Sequence, residues 1–534
     1  MEIFKDFIKK DLEKLAAGVL YFSVLLIFVF WAESFYMDSF AAVFIVISGI
    51  LLYFCASRTL QAVYLFVIGC SVLFQNHLVI NYSYPFAKIG REILVLVSET
   101  TTLEFKTYLQ IISGKEYMDF VCLLLSCLFI YKMGTERKNI KAPIFLGLFL
   151  ACFALWNDIG APVYAFREEM SQSSRILESY RKFRFDAQDV SGDDESTYII
   201  VIGETHRHDH FEKYAYSEKY SPNLYAARKR GDIYSFDNMT SGYYYTTGSV
   251  PLILTRKPVD CETRFFEEKS IVSAFKEAGY ATWTISYSKK TQPEDDAMNL
   301  LFLEADEYIN HYDTSGTFDD VGMLPTLEKI LSDKSKKKKL ILIKMIGAHY
   351  LYEERYPKDF EIHKPSYKSV HNSGEAANDH KLLRNSYKNA VIYSATFIDK
   401  LAGMLYKQKE PAMMAFISDH GTCLYEDGAS KFVGRAKGAY HIAFFVTGNQ
   451  RWLSQEPPNS LYYLKIRKDQ PLTQEYFLDT YLSLAKIKYF DPRPKRDISG
   501  SSFVPAENRK VWTPIGLEKY DDLMPEHSLD GKEK

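Results

Sequence analysis

Long apolar runs dominate the chain up to Gly160, and beyond that point charged and polar residues recur every few positions. The change predicts a membrane-spanning region over 1–160 followed by a water-exposed domain. Five runs approach the roughly 17 to 25 residues needed to cross hydrocarbon: Ala16–Ala32, Phe40–Ala56, Leu60–Ile80, Met118–Tyr131 with its flanks, and Ala142–Trp156. None carries a charge at its centre, which sets them apart from buried core helices. No small-residue cleavage site follows Trp31, so the first run reads as a span and not as a cleavable leader.

Basic residues orient these spans. Lys5, Lys9, Lys10 and Lys14 precede the first, Arg58 lies between the second and third, and Lys132, Arg137, Lys138 and Lys141 lie between the fourth and fifth. Lys and Arg accumulate on the cytoplasmic side. The segment Glu33–Ser39 has neither, and the loop 81–117 has only a few spread along it. With the amino terminus inside and an odd number of spans, everything after Gly160 is expected outside.

Residues 161–195 read as a polar, amphipathic connector. From Thr197 short β-rich runs alternate with helical stretches: Tyr198–Ile202, Ala281–Ser286, Leu340–Ile346, Met413–Ile417 and Ile442–Val446, with Ile271–Ala278 and Tyr387–Tyr406 as amphipathic helices. This alternation predicts an α/β catalytic domain over 196–534 on a mainly parallel sheet. The lysine run Lys336–Lys339 reads as a solvated turn before a strand.

The chain has 534 residues, 47% of them apolar, yet its mean hydropathy is only −0.18, so the hydrophobic residues must be unevenly distributed if part of the chain is membrane. A net charge of −2 argues against a nucleic-acid partner. Of seven cysteines only Cys261 and Cys423 lie beyond the apolar region. Two are too few for a disulfide framework, so the outer domain must rely on its core and on metal.

Candidate chemistry follows the strands. Tyr198–Ile202 runs into Gly203-Glu204-Thr205, Leu340–Ile346 into Gly347-Ala348-His349, and Met413–Ile417 into Ser418-Asp419-His420-Gly421. Ligand sites of open parallel sheets form beyond the carboxyl ends of the strands, so these residues should converge. Glu204, Asp419 and His420 supply two oxygen donors and one nitrogen donor, a set suited to Zn²⁺ with a position left open. The segment from Thr240 to Pro251 offers hydroxyl nucleophiles, and a zinc ion would make such a hydroxyl easier to ionise. Read singly, either carboxylate is equally well a helix cap or a surface ion pair. His206, His208 and His210 read as exposed residues at a helix start, with a second zinc site as the alternative.

These motifs in combination resemble the membrane-bound phosphoethanolamine transferases of the alkaline phosphatase and sulfatase-like superfamily. The resemblance rests on the five spans, the strand-Gly-Glu-Thr motif, Thr246-x-x-Ser249-Val250-Pro251, Gly347-x-His349 followed by Arg355-Tyr356-Pro357, and Ser418-Asp419-His420-Gly421. It implies a five-span helical domain joined to an alkaline-phosphatase-like periplasmic α/β domain in a bacterial inner membrane. It implies Thr246 as the nucleophile that becomes phosphoethanolaminylated, with Glu204, Asp419 and His420 as its zinc partners. It also implies His349 and His441 as residues that contact the phosphoryl group or assist proton transfer, and Glu104 as a substrate-binding residue on the periplasmic loop. Phosphatidylethanolamine would be the donor and an envelope glycolipid the acceptor.

The chain also departs from the pattern. Relatives acting on lipid A carry several disulfides and a Cys-Gly pair before the nucleophile, where this chain has Ser241-Gly242 and three tyrosines. That favours a core sugar as acceptor, with lipid A as the alternative. The family's Asn and Lys after the Trp-bearing strand have no match in Ser286-Tyr287-Ser288-Lys289-Lys290. A sulfatase needs Cys/Ser-x-Pro-x-Arg, and Ser249-Val250-Pro251-Leu252 continues to Ile253. A glycerol-phosphate transferase using phosphatidylglycerol shares the threonine and zinc chemistry, and an inactive membrane scaffold or sensor is the non-enzyme reading.

Overall fold

The computed structural model describes residues 39–82, 114–133, 176–261, 267–287, 297–312, 319–369, 380–426, 431–432, 434–514 and 516–524, with isolated positions in 16–23 and 144–148. The chain divides into two compact units, Met1–Ser171 and Gln172–Lys534.

In the first unit the runs Phe40–Ala56, Leu60–Ile80 and Met118–Tyr131 fall, to within one residue at Ala56, in the helices Ser39–Cys55, Arg58–Tyr82 and Gly114–Met133. Most of the first and fifth runs lies outside the described residues. Leu123, Cys127 and Ile130, at helical spacing, pack on Leu65 and Ile68. Val63, Val67, Leu124, Leu125 and Leu128 of the same helices point outward and are exposed. Arg58 Nη1 donates to Lys132 O over 3.1 Å, which brings the start of one helix and the end of another to the same end of the unit. Against the five-span expectation, no helix among the described residues is long and apolar enough to cross a membrane. Ser39–Cys55 has 17 residues, about 25 Å of rise, and Gly114–Met133 begins with Lys115, Glu116 and Asp119.

The second unit is built on a seven-stranded sheet. Its strands are Ser196–Gly203 (β1), Ile233–Ser235 (β2), Ala281–Ser286 (β3), Glu307–Asn310 (β4), Lys338–Lys344 (β5), Ala412–Ser418 (β6) and Phe444–Gly448 (β7), in the order β2-β7-β6-β1-β5-β3-β4. The five from β6 to β4 are parallel, and β7 runs antiparallel to both β6 and β2. Alternate side chains of β1 enter two different cores. Ile199 and Val201 join Ile341, Ile343, Met414 and Phe416 beneath Leu383, Tyr387, Val391 and Ile398 of the helix His380–Tyr406. Tyr198 packs on the other face with Phe275, Tyr280 and Tyr481. With both faces covered, the central strands are continuously apolar, which is why they stand out in the sequence.

Two expectations change in detail. The run Ile442–Val446 is split, because Ala443 N donates to His206 O and turns the chain out of one ladder and into another. His441–Ile442 pairs with Met239–Thr240 in a small sheet completed by Leu472–Thr473, while Phe444–Gly448 enters the main sheet. The lysine run is only partly a turn: Lys339 is buried within β5, and its ammonium donates to Leu331 O over 3.1 Å.

Candidate metal and nucleophile site

The central parallel strands deliver their carboxyl-terminal residues to one place. Glu204 follows β1, Asp419 and His420 follow β6, and Lys344 ends β5. One ligand atom each of Glu204, Asp419 and His420 lies within 4.8 Å of the others. His420 Nε2 stands 3.4 Å from Glu204 Oε1 and 3.8 Å from Asp419 Oδ2. His420 Nδ1 donates to its neighbour's carbonyl, Gly421 O, at 2.7 Å, which leaves Nε2 as the ligating nitrogen.

Backbone strain and hydrogen bonds hold the carboxylates. Thr205 has φ 62°, a left-handed conformation that a β-branched residue rarely adopts. Its N–H donates to Asp419 Oδ1 at 3.0 Å and its hydroxyl to Glu204 Oε1 at 2.6 Å, while its carbonyl accepts from Tyr387 Oη at 2.8 Å. The strain is thus held in place by the two carboxylates it positions. Gly347, at φ 48°, passes so close that a Cβ would lie 2.8 Å from Glu204 O.

Thr246 opens the helix Thr246–Leu254. Its hydroxyl donates to Glu204 Oε2 over 3.0 Å and lies 3.4 Å from His420 Nε2. Tyr243 and Tyr244 before it are buried, and a Cβ at Gly248 would fall 2.4 Å from the Tyr243 ring. Gln474, fully buried, ties this loop to the metal loop by accepting from Gly242 N at 3.2 Å and donating to Ser418 O at 3.1 Å.

Lys344 is the residue that sequence reading missed. Its Nζ donates to Glu204 Oε2 at 2.6 Å and lies 3.1 Å from Asp419 Oδ2, with Gly203 O and Met345 O each at 3.3 Å. The available signal was a lone lysine closing the apolar run Leu340–Ile343 just before Gly347-Ala348-His349. Burial pushes the Glu204 carboxyl up, but Lys344, His420 and His349 outweigh it and hold the group well below the usual carboxylate range. Burial and the charge on Glu204 push the Asp419 carboxyl above its ordinary value. Burial alone would lower the Lys344 ammonium, and the charges of Asp419 and Glu204 reverse that. Asp419 Oδ2 is buried and accepts no well-aligned hydrogen bond, as expected of an oxygen left for a metal. The residues therefore fit a divalent ion with two oxygen donors and one nitrogen donor.

Other predicted residues are placed differently. His349 is half-buried, with Nδ1 donating to Tyr350 O at 2.6 Å, and Arg355 Nε donates to His349 O at 3.1 Å. His441 stands on its own short strand, with Nε2 donating to Asp237 O at 2.9 Å. Glu104 and the segment from Ser288 to Lys290 lie outside the described residues. His206, His208 and His210 are not exposed. The His206 ring is wholly buried against Phe211 and Phe416 and accepts from Glu204 N at 3.2 Å, and burial pushes it down to about 3. His208 stacks on His441, and His210 packs on Tyr387. The reason is the buried Arg207 between them. It pairs with Glu426 and Asp209 and pulls this turn onto the metal loop.

Comparison with known proteins places the fold. A sulfatase family model matches residues 196–487. Phosphoethanolamine transferase EptC of Escherichia coli O18:K1:H7 is 22% identical over 354 residues, 64% of this chain and 60% of that protein. Phosphoethanolamine transferase EptA of Helicobacter pylori is 26% identical over 258 residues, 47% of each chain. The chain thus spans about three fifths, or less, of the length of these curated relatives. Among solved structures, the integral membrane protein lipooligosaccharide phosphoethanolamine transferase A (EptA) from Neisseria meningitidis is similar in fold, with a TM-score of 0.62 at 18% identity, covering 92% of this chain and 97% of that one. The C-terminal periplasmic domain of E. coli EptC, solved in complex with Zn, has a TM-score of 0.54 at 21% identity over 63% of this chain and 96% of that domain. With a model matching more than half of its length and named phosphoethanolamine transferases as relatives, the chain belongs to the sulfatase family.

Proposed function

We propose that this protein is a phosphoethanolamine transferase of the bacterial inner membrane. It takes phosphoethanolamine from phosphatidylethanolamine and passes it to a lipopolysaccharide or lipooligosaccharide acceptor. One observation carries the reading: the Thr246 hydroxyl, at a helix start, lies within hydrogen-bond reach of two members of a buried metal-ligand set. Glu204, Asp419 and His420 would hold zinc, as would Thr246 once ionised. Bound there, zinc supplies Lewis-acid stabilisation of charge on the attacking and phosphoryl oxygens.

The chain's own residues do the rest. Thr246 Oγ forms a bond to phosphorus as the bond from phosphorus to the diacylglycerol oxygen breaks, and the hydroxyl proton ends on the departing alcohol. Glu204 orients the hydroxyl, and the first N–H groups of the helix Thr246–Leu254 favour the phosphoryl charge. An acceptor hydroxyl then attacks the phosphothreonine and returns a proton to Thr246. His349 and His441 are assigned to phosphoryl contacts and Glu104 to substrate binding. Sulfatase chemistry is disfavoured because Ile253 stands where formylglycine formation needs arginine.

In this reading residues 1–160 form a five-span membrane domain with a periplasmic loop 81–117, residues 161–195 a connector, and residues 196–534 the periplasmic catalytic domain. The outward apolar side chains Val63, Val67, Leu125 and Leu128 support immersion in lipid. A core sugar is the proposed acceptor, since the outer domain lacks the cysteines of relatives acting on lipid A. The test incubates the full-length protein with phosphatidylethanolamine or phosphatidylglycerol and maps the adduct by peptide mass spectrometry. Phosphoethanolamine on Thr246 is expected. A glycerol-phosphate adduct would select the alternative donor, and no adduct with either lipid would sink the enzyme reading. Envelope glycolipid masses from a Gram-negative host should then rise in the core oligosaccharide, and a gain confined to lipid A would reassign the acceptor.

A further inference from the structure

A buried lysine inside a prospective metal site is unexpected, because its charge has the sign of the metal's. Lys344 is 5% exposed, and it reaches both Glu204 Oε2 at 2.6 Å and Asp419 Oδ2 at 3.1 Å. Two further carbonyl oxygens, of Gly203 and Met345, surround the ammonium at 3.3 Å, so its protons are fully used. Its position follows from the sheet. Lys344 is the register partner of Ile202 on the neighbouring strand, so its side chain leans along the same face toward Glu204, two residues farther on.

Glu204 and Asp419 are both buried, and two carboxylates taken out of water without a counter-ion would repel one another and lose solvation. A cation standing between them offsets both charges before any metal arrives. The geometry points to Lys344 as that resident cation: a positioning residue that holds the two carboxylates together without metal and competes with an incoming divalent ion for them. Two consequences follow, of opposite sign. Removing the charge should destabilise the metal-free protein, because the carboxylates lose their counter-ion. The same change should strengthen metal binding, because one competing positive charge within a few ångströms is gone. A residue that merely packs the site would move both quantities the same way.

This inference rests on the metal reading of Glu204, Asp419 and His420, and the experiment separates the two. Zinc affinity of the full-length protein is measured by competition with a chromophoric chelator, and thermal melting is recorded for the metal-free form. Wild type, Lys344→Met and Lys344→Gln are compared; the glutamine keeps a donor without the charge. Wild type that binds no zinc would sink the metal reading itself. With wild-type binding established, both variants are expected to melt lower without metal and to bind zinc at least ~10-fold more tightly. Folding only when zinc is supplied would give the same answer, since the divalent ion then replaces the lysine. Unchanged or weaker zinc binding overturns the inference. Failure of both variants to fold with zinc present overturns it as well.

Discussion

The Thr246 hydroxyl donates to Glu204 Oε2, the same oxygen that Lys344 holds at 2.6 Å. A side chain that opens a helix is thereby locked to the end of the central strand, 42 residues earlier in sequence. Its neighbours are not so placed. The Thr247 hydroxyl is buried without a hydrogen-bond partner, and Ser249 donates to Tyr243 O at 3.1 Å. Thr246→Ala should therefore remove the covalent adduct and lower transfer by ~10³-fold or more while the protein remains folded. Thr247→Ala and Ser249→Ala should keep transfer within about tenfold of wild type, at a stability cost of roughly 1 kcal/mol for the lost Ser249 hydrogen bond. An adduct that moves to Thr247 or Ser249 would show that the nucleophile is misassigned.

Replacing a metal ligand should act on metal content as well as on turnover. Glu204→Gln and His420→Ala are expected to bind substoichiometric zinc by elemental analysis, whereas Thr246→Ala, whose three protein partners remain, should keep most of it. Chelation should abolish transfer, and added zinc should restore it. Full zinc occupancy in His420→Ala would remove that residue from the ligand set.

Asp320 gives a pH signature. It accepts from Ile346 N at 2.9 Å and Gly347 N at 2.8 Å, and burial pushes its carboxyl from an ordinary 3.8 up to about 6. A folded-state value above the unfolded one means that the folded protein binds the proton more tightly. The contribution to stability is complete below the unfolded value and is lost as pH rises through about 6. Compared with Asp320→Asn, wild type should lose up to roughly 3 kcal/mol between about pH 4 and pH 6 in chemical denaturation. Parallel stability curves for the two proteins would contradict this.

Topology can be checked by fusion. A periplasm-active reporter placed after residue 170 should be functional, and one placed within Lys132–Lys141 should not. Arg58 and Lys132 share one end of the first unit, in keeping with a common cytoplasmic side. Reversed activity at either position would overturn the span assignment.

Features that depend on local pattern are legible along the chain. The buried strands β1, β5 and β6 stand out as apolar runs because both of their faces are covered, and the short polar motifs that end them mark the side where chemistry can gather. The two edge strands, Ile233–Ser235 and Glu307–Asn310, were not legible, because short, half-exposed segments carry little periodicity. The packed structure alone sets which strand ends stand side by side. The order β6-β1-β5 sets Asp419, Glu204 and Lys344 side by side, and no local signal encodes strand order. It likewise decided that His206 is core, through the buried Arg207 pairing with Glu426, and that Gln474 joins the nucleophile loop to the metal loop. Each of these contacts joins residues far apart in sequence, and its free energy exists only once the chain has closed around it.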